Sequence, residues 1–142
     1  MEMHVKFTSI KRNKLSSPTK YLLKNNLLSL NKKVLDYGCG RGFDSITLNM
    51  DRYDKYWYPC AITDSYDYII CHFVLNVVSE REQRKILRHI KNLLKPTGVA
   101  YLTVRRDLKN NITYKTYTQR IVKLTLKSVY KCGKYEIYEL KK

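Results

Sequence analysis

The residues most capable of chemistry lie in one segment, Val34 to Asp44, which reads VLDYGCGRGFD. A short apolar run ends in an acid, Asp36, and three glycines then alternate with other residues. Glycines allow a tight turn and a close approach of the backbone to a ligand, and the start of a following helix presents free amide groups. Open α/β sheets bind ligands beyond the carboxyl ends of their strands. The segment therefore predicts a cofactor site.

The spacing of the glycines separates two classes of cofactor. Dinucleotide-binding loops follow G-x-G-x-x-G, whereas Gly38, Gly40 and Gly42 form G-x-G-x-G. A carboxylate two positions before the first glycine, at Asp36, would repel a pyrophosphate but attract the ammonium group of an aminoacyl cofactor. The pattern therefore favours S-adenosylmethionine over a nicotinamide dinucleotide.

The elements that must position this loop follow the pattern of an α/β domain. Strands are predicted at residues 33–37, 52–54, 68–71 with an apolar continuation to 75, 99–104, 122–126 and 135–140. Helices are predicted from Ser17-Pro18, over residues 43–48, and from Ser79, which has capping-box spacing to Glu82, to a stop at 96–98. Strands that alternate with helices indicate a mostly parallel sheet with helices on both faces. The last two strands, joined by residues 128–134, are predicted to form an antiparallel pair at its edge.

The length indicates the number of domains, and the charge indicates the kind of partner. The 142 residues fit one domain, predicted at 16–142 after a basic arm at 1–15. The net charge of +16 is divided as +7 over residues 1–33, +1 over 34–104 and +8 over 105–142. Such a field attracts polyanions, so a polyanionic substrate or a nucleic acid is an expected partner. The alternative is a lysine-rich composition inherited from an A/T-biased genome.

The cysteines and the hydropathy pattern exclude other classes of protein. Four cysteines show neither a CxxC pair nor zinc-ligand spacing to the histidines, which predicts reduced thiols and no metal site. The chain has neither the apolar run of a signal peptide nor that of a membrane span. We therefore expect a cytoplasmic protein without a membrane partner.

On these residues the sequence resembles the class I S-adenosylmethionine-dependent methyltransferases over residues 30–106. It is similar in particular to small bacterial and phage-type predicted methyltransferases in five stretches: Leu35–Asp44, Tyr53–Pro59, Cys71–Val77, Leu94–Gly98 and Tyr101–Asp107. A more distant likeness is to predicted methyltransferases associated with DNA phosphorothioation, which share the KLSSP-like segment Lys14–Pro18 together with DYGCGRG and VLNV.

The resemblance implies a minimal Rossmann-like methyltransferase fold with S-adenosylmethionine as its cofactor. Cofactor contacts are implied for Asp36, Tyr37, Gly38, Cys39, Gly40, Gly42, Asp54 and Cys71. Asp54, 18 residues after Asp36, is the acid expected to hold the ribose hydroxyls, with Asp51 as the competing candidate.

Polar residues at the ends of later strands are candidates for the chemistry itself. His72 and Asn76 follow the strand at 68–71, and either could orient a nucleophile or take its proton. Arg105 and Arg106 end the next strand and could hold a phosphate or carboxylate of the substrate. Structural roles stay open for all four: a strand-end histidine, an asparagine bonded to local backbone, and two solvated charges.

Departures from the family narrow the function. The stretch between Gly42 and Tyr68 has room for one strand and little helix, so the adenine pocket must be shallow or built differently. No Asn-Pro-Pro-Tyr-like segment follows Ile70, which argues against methylation of a base amino group in the usual way. The leading expectation is a methyltransferase that acts on a polyanion. The alternative is an inactive module that binds S-adenosylmethionine or nucleic acid; a dinucleotide-dependent oxidoreductase is disfavoured by the glycine spacing.

Overall fold

The computed structural model describes residues 10–142, most of which surround one six-stranded sheet. In chain order the strands are β1 (Val34–Tyr37), β2 (Asp51–Tyr53), β3 (Tyr66–His72), β4 (Leu94–Arg105), β5 (Ile112–Thr113), β6 (Thr118–Gln119), β7 (Lys127–Lys131) and β8 (Tyr135–Lys141). The helices are α1 (Ser17–Lys24), α2 (Phe43–Thr47) and α3 (Glu80–Leu93), with a 3-10 turn at Leu75–Val77. The strands β5 and β6 form a separate hairpin.

The sheet has the order β2-β1-β3-β4-β8-β7. Its first four strands are parallel, with Leu35 opposite Ile69 and Ile69 opposite Ala100. The strand β8 runs antiparallel to both β4 and β7. This confirms the predicted α/β sheet, parallel in its first part and closed by an antiparallel C-terminal pair.

Helices cover both faces of the sheet. Successive side chains of a strand point to opposite sides, so the same strands contribute to two core clusters. One core cluster joins α3 to the sheet through Ile90, Leu93, Leu35, Ile69 and Leu102. The other joins α1 to the sheet through Leu22, Val34, Ile70 and Tyr101. The predicted arrangement of helices on both faces is therefore confirmed.

The helix ends follow local sequence signals with two adjustments. Ser79 caps α3 and accepts a hydrogen bond from the Glu82 amide at 3.2 Å, as predicted. That helix ends at Leu93, before the predicted stop, since the approach to a proline disfavours helical backbone. The residue before α1 is Ser16 rather than Ser17, and its side chain bonds to a neighbouring element instead of capping the helix.

The middle of the chain is as short as predicted. Between α2 and β3 the structure contains the three-residue strand β2 and no helix. The edge of the sheet beside β1 is therefore formed by one short strand.

The strand predicted at residues 68–71 is present as β3, and the apolar run beyond it passes into the 3-10 turn after Phe73, which takes a φ of 60°. The predictions for the C-terminal part were partly wrong. Residues 122–126 form no strand, although burial alternates along them, because they lie over the α3 side of the core without pairing to the sheet. The pairing strand is β7, and residues 132–134 alone form its turn into β8.

The predicted basic arm is only partly described. Residues 1–9 lie outside the described part of the chain, whereas residues 11–14 are irregular and exposed. Within residues 10–142 no helix is long and apolar enough to cross a membrane.

Candidate functional site

A cavity of about 1050 Å³ opens at the carboxyl ends of the four parallel strands. Tyr37, Tyr53, His72 and Arg105, at the ends of β1 to β4, all line it. Ligand pockets are commonly about 300–1,000 Å³. The cavity therefore has room for a cofactor and for part of a second molecule.

The loop after β1 borders the cavity and depends on its glycines. Gly38, Gly40 and Gly42 have φ angles of 73°, 59° and 82°, a left-handed conformation that residues with a Cβ rarely adopt. A Cβ added to Gly38 would overlap the side chain of Val74. The Gly38 amide donates to the Tyr53 carbonyl at 2.7 Å, which ties the loop to the end of β2. The tight turn that the glycine spacing predicts is present.

Asp54 holds the same loop from the other side. Its Oδ2 accepts a hydrogen bond from the Gly40 amide at 2.8 Å, and its Oδ1 accepts from the amides of Tyr56 and Trp57. It lines the cavity and is 9% exposed. Asp51, the competing candidate, does not line the cavity, and it accepts a hydrogen bond from the Tyr66 hydroxyl. The geometry therefore favours Asp54 as the acid beside a bound ligand.

Asp36 is a buried carboxyl group at the edge of the cavity. It is 5% exposed and lines the cavity. Burial, together with the negative charges of Asp44 and Asp54, raises the pKa of this carboxyl to about 8. A cationic group bound beside Asp36 would stabilise the ionised form of the carboxyl.

His72 lies in a chain of hydrogen bonds at the base of the cavity. Asp44 accepts from the Ser16 hydroxyl and from Thr19 Oγ1, both at 2.6 Å. Since Thr19 gives its one hydroxyl proton to Asp44, it accepts from His72 Nε2 at 3.0 Å. The other ring nitrogen, Nδ1, then accepts from Thr103 Oγ1 at 2.7 Å.

This network opposes the predicted catalytic role of His72. Burial lowers the pKa of the imidazole to about 4, so the ring is neutral near pH 7. Both ring nitrogens are engaged with threonine hydroxyls. Neither nitrogen is available to take a proton from a bound molecule. His72 instead connects α1, through Thr19, to β4, through Thr103.

Asn76 is displaced from the cavity, contrary to the prediction that it is catalytic. It is 0% exposed and does not line the cavity. Its Nδ2 donates to the Arg120 carbonyl at 2.7 Å, its Oδ1 accepts from the Arg105 amide at 2.9 Å, and its own carbonyl accepts from the Arg120 amide at 2.7 Å. Asn76 therefore fixes the backbone of two arginines rather than touching a ligand.

The two arginines predicted to bind substrate have different surroundings. Arg105 lines the cavity, and its Nε and Nη2 donate to Asp107, each at 2.8 Å. Arg106 points away from the cavity and forms a buried ion pair with Glu136 at 2.8 Å. Its Nη2 also donates to the Tyr138 hydroxyl. Arg106, the residue after β4, is thus held by Glu136 and Tyr138 outside the cavity, which argues against its predicted substrate role.

Of the other side chains predicted to contact the cofactor, Tyr37 and Cys39 line the cavity and Cys71 does not. The Tyr37 hydroxyl forms a hydrogen bond of 2.7 Å with His89 Nδ1. Burial raises the pKa of the Cys39 thiol, which keeps it protonated near pH 7. Cys71 is 1% exposed within the core and does not reach the cavity, contrary to the prediction. No cluster of metal-ligating side chains occurs in the part of the chain that the structure describes.

Sequence reasoning missed residues that the fold brings to the cavity from a distance. Arg12 comes from the segment before α1, and Tyr117 and Arg120 come from the segment around β6. Asp44 stood in the quoted motif without an assigned role. Its place in the first turn of α2 is a local signal for a stabilising acid, but its partners Ser16 and Thr19 lie outside that helix. No local signal marks the others.

Comparisons with known proteins agree with this architecture. A family model described as a methyltransferase domain matches residues 7–124. Among solved structures, the PH0226 protein from Pyrococcus horikoshii OT3 is similar with a TM-score of 0.61 and 13% identity, over 87% of this chain and 88% of that one. DhpI, solved as a complex with SAH, is similar with a TM-score of 0.53 and 11% identity, over 87% and 86%. At these identities the likeness concerns the fold.

Two further comparisons set limits. PKMT2 from Rickettsia typhi is 23% identical over 58% of this chain, with a TM-score of 0.44, and the match spans only 22% of the length of PKMT2. The comparison with curated proteins gives no match. The family model nevertheless covers most of the residues, including the glycine loop, β1 to β4 and the hairpin. The chain therefore belongs to the methyltransferase-domain family.

Proposed function

We propose that this protein binds S-adenosylmethionine in the cavity and transfers its methyl group to an acceptor at the cavity mouth. The observation that carries the proposal is the loop of three left-handed glycines between two buried acids, Asp36 and Asp54, at the carboxyl ends of β1 and β2. Membership of the methyltransferase-domain family supports it.

The residues present fit this cofactor. The methionine part carries an ammonium group, and Asp36 places a buried carboxyl group on the cavity wall where such a group could bind. Asp54 retains lone pairs beyond those used by the three amides and can accept from the ribose hydroxyls. The glycine loop lets the backbone approach closely because no Cβ projects from those positions.

When bound, S-adenosylmethionine would supply a methyl group on a positively charged sulfur: a bond from the acceptor to the methyl carbon would form as the carbon–sulfur bond breaks, and S-adenosylhomocysteine would leave. Neither His72 nor Asn76 is placed to accept a proton, because the first is bonded through both ring nitrogens and the second is buried outside the cavity. Holding two reactants in line can supply a large part of the rate of such a displacement. We therefore infer catalysis mainly by orientation.

Two finer assignments belong to the same proposal. The likeness to small bacterial and phage-type predicted methyltransferases, and the more distant one to those associated with DNA phosphorothioation, rest on short shared stretches such as Leu35–Asp44. A cytoplasmic location is supported by four free cysteines.

A second candidate function is a binding module that holds S-adenosylmethionine without transfer. The specific observation in its favour is that both residues predicted to be catalytic, His72 and Asn76, are engaged in structural hydrogen bonds. The short stretch between α2 and β3 supports it too.

Label transfer separates the two candidates. The purified protein is incubated with S-adenosylmethionine carrying a radioactive methyl group and with separated nucleic-acid, protein and small-molecule fractions of a cell extract. We expect label in one fraction with the wild type and none with Gly40→Val, whose β-branched side chain is incompatible with a φ of 59°. Cofactor binding with no label in any fraction would favour the binding module.

A further inference from the structure

The C-terminal third contains a long basic segment without a single acid. Residues 108–134 hold seven cations and no Asp or Glu: Lys109, Lys115, Arg120, Lys123, Lys127, Lys131 and Lys134. Two of these, Arg120 and Lys134, line the cavity. No carboxylate within residues 10–142 forms an ion pair with Arg120. Arg120 and Lys134 thus bring positive charge from this segment to the cavity.

The hairpin in this segment presents aromatic rings beside that charge. Tyr114 and Tyr117 stack with ring centroids 4.9 Å apart and an interplanar angle of 21°. Tyr117 lines the cavity, whereas Tyr114 is 45% exposed. The stacked pair therefore extends from the cavity wall to the exposed surface. Lys115 follows Tyr114 in the turn that joins the two strands.

The hairpin is held in place before any ligand binds. The Tyr114 amide donates to the Tyr117 carbonyl at 2.8 Å, and the Ile121 amide donates to Asn111 Oδ1 at 2.8 Å. Asn76 bonds the backbone of Arg120 twice, which connects the hairpin to the core. A surface that is already ordered loses less entropy when it binds.

One polar group in the hairpin lacks a partner. The side-chain oxygen of Gln119 is buried, and no hydrogen-bond donor within residues 10–142 reaches it. Gln119 lines the cavity next to Arg120. A buried amide oxygen of this kind can be satisfied by a donor on a bound molecule, such as the amino group of a base.

We propose that this hairpin, residues 112–119 with Arg120, binds single-stranded nucleic acid as the methyl acceptor. A base stacks on Tyr114, the phosphates contact Arg120 and its basic neighbours, and an adjacent base reaches the cavity. The combination of ring faces and cations favours an unpaired strand, because stacking requires bases that are not already paired. This inference names the acceptor of the proposed methyltransferase and rests on that function.

The test measures the affinity of the full chain for a fluorescently labelled single-stranded oligonucleotide by anisotropy, without S-adenosylmethionine. Tyr114→Leu should weaken binding roughly 5- to 100-fold, whereas Tyr114→Phe, which keeps the ring, should bind like the wild type. Arg120→Gln should lower the magnitude of the salt dependence by about 0.7 per lost phosphate contact. Lys91→Gln, an exposed lysine on the far part of α3, is the matched charge control and should change little.

Heparin, an oligonucleotide duplex and vesicles of phosphatidylglycerol complete the experiment. Heparin has charge but no bases, so its affinity should not respond to Tyr114→Leu. Equal affinity of Tyr114→Leu and Tyr114→Phe for the single strand, tighter binding of the duplex, or binding to vesicles alone would overturn the inference. A protein that binds S-adenosylmethionine but no oligonucleotide would retain the proposed function and lose only this acceptor.

Discussion

At the scale of single residues, Asp36 is a titratable carboxyl group at the wall of the cavity. Its pKa of about 8 leaves it largely protonated at pH 7. An ammonium group bound beside it would favour the ionised form, so binding of S-adenosylmethionine should release roughly one proton at pH 7. Calorimetric titration in two buffers with different ionisation enthalpies measures this number directly.

Two variants serve as controls for the proton release. Asp36→Asn should abolish it, while Asp51→Asn, which alters a carboxyl outside the cavity, should leave it intact. The folded pKa of Asp36 lies above its ordinary value, so the native state holds more protons and the unfolding free energy contributed by this group falls as pH rises from about 4 to about 8. Asp36→Asn should remove that decline. Wild-type binding without proton release would show that Asp36 does not meet the ammonium group.

Residue types could be predicted from the sequence better than residue directions. The turn formed by the three glycines could be predicted because it depends on backbone conformation and short spacing, whereas the role expected of Asp54 was implied by the family resemblance. Asn76 and Arg106 were assigned to the site from their position after a strand, yet both point away from it. Which way a side chain points after a strand end depends on the exact place where the strand stops, and periodicity does not determine that place.

At the scale of secondary-structure elements, Asp44 joins α2 to the segment that begins α1. It accepts hydrogen bonds from the Ser16 amide at 3.0 Å and from the hydroxyls of Ser16 and Thr19. Asp44→Ala would leave these buried donors without an acceptor, which should lower the unfolding free energy by about 3 kcal/mol. Urea denaturation followed by circular dichroism tests the value.

Asp107→Ala is the matched comparison for Asp44. Asp107 is an exposed carboxylate paired with Arg105, and such pairs contribute about 1 kcal/mol or less. Similar small losses in both variants would mean that the network around Asp44 does not hold the two elements together.

Elements with strong local signals could be predicted, whereas those that depend on distant partners could not. The α3 helix has a cap and a clear apolar face, and β1 is a buried run that ends in glycines. The β5–β6 hairpin has only two residues in each strand and carried no such pattern. Residues 122–126 alternate in burial because they cover α3, and alternation alone was mistaken for pairing in a sheet.

At the scale of the whole molecule, charge and chemistry occupy different parts of the chain. The nearly neutral middle forms the glycine loop and the parallel strands, and the basic C-terminal segment returns to the rim of the same cavity. The excess of positive charge was evident from composition. Arg120 and Lys134 place part of this charge at the cavity, because the C-terminal segment runs back along the sheet. Composition alone does not show that placement.

The central claim is that the glycine loop and its two acids bind S-adenosylmethionine. Isothermal titration of the wild type, Gly40→Val and Asp54→Ala with S-adenosylmethionine and S-adenosylhomocysteine tests it most directly, with Lys91→Gln as a control outside the cavity. We predict binding by the wild type and Lys91→Gln, and at least about tenfold weaker binding by the two site variants, provided that thermal melts show them folded. A wild type that binds neither compound, or site variants that bind as tightly as the wild type, would contradict the account.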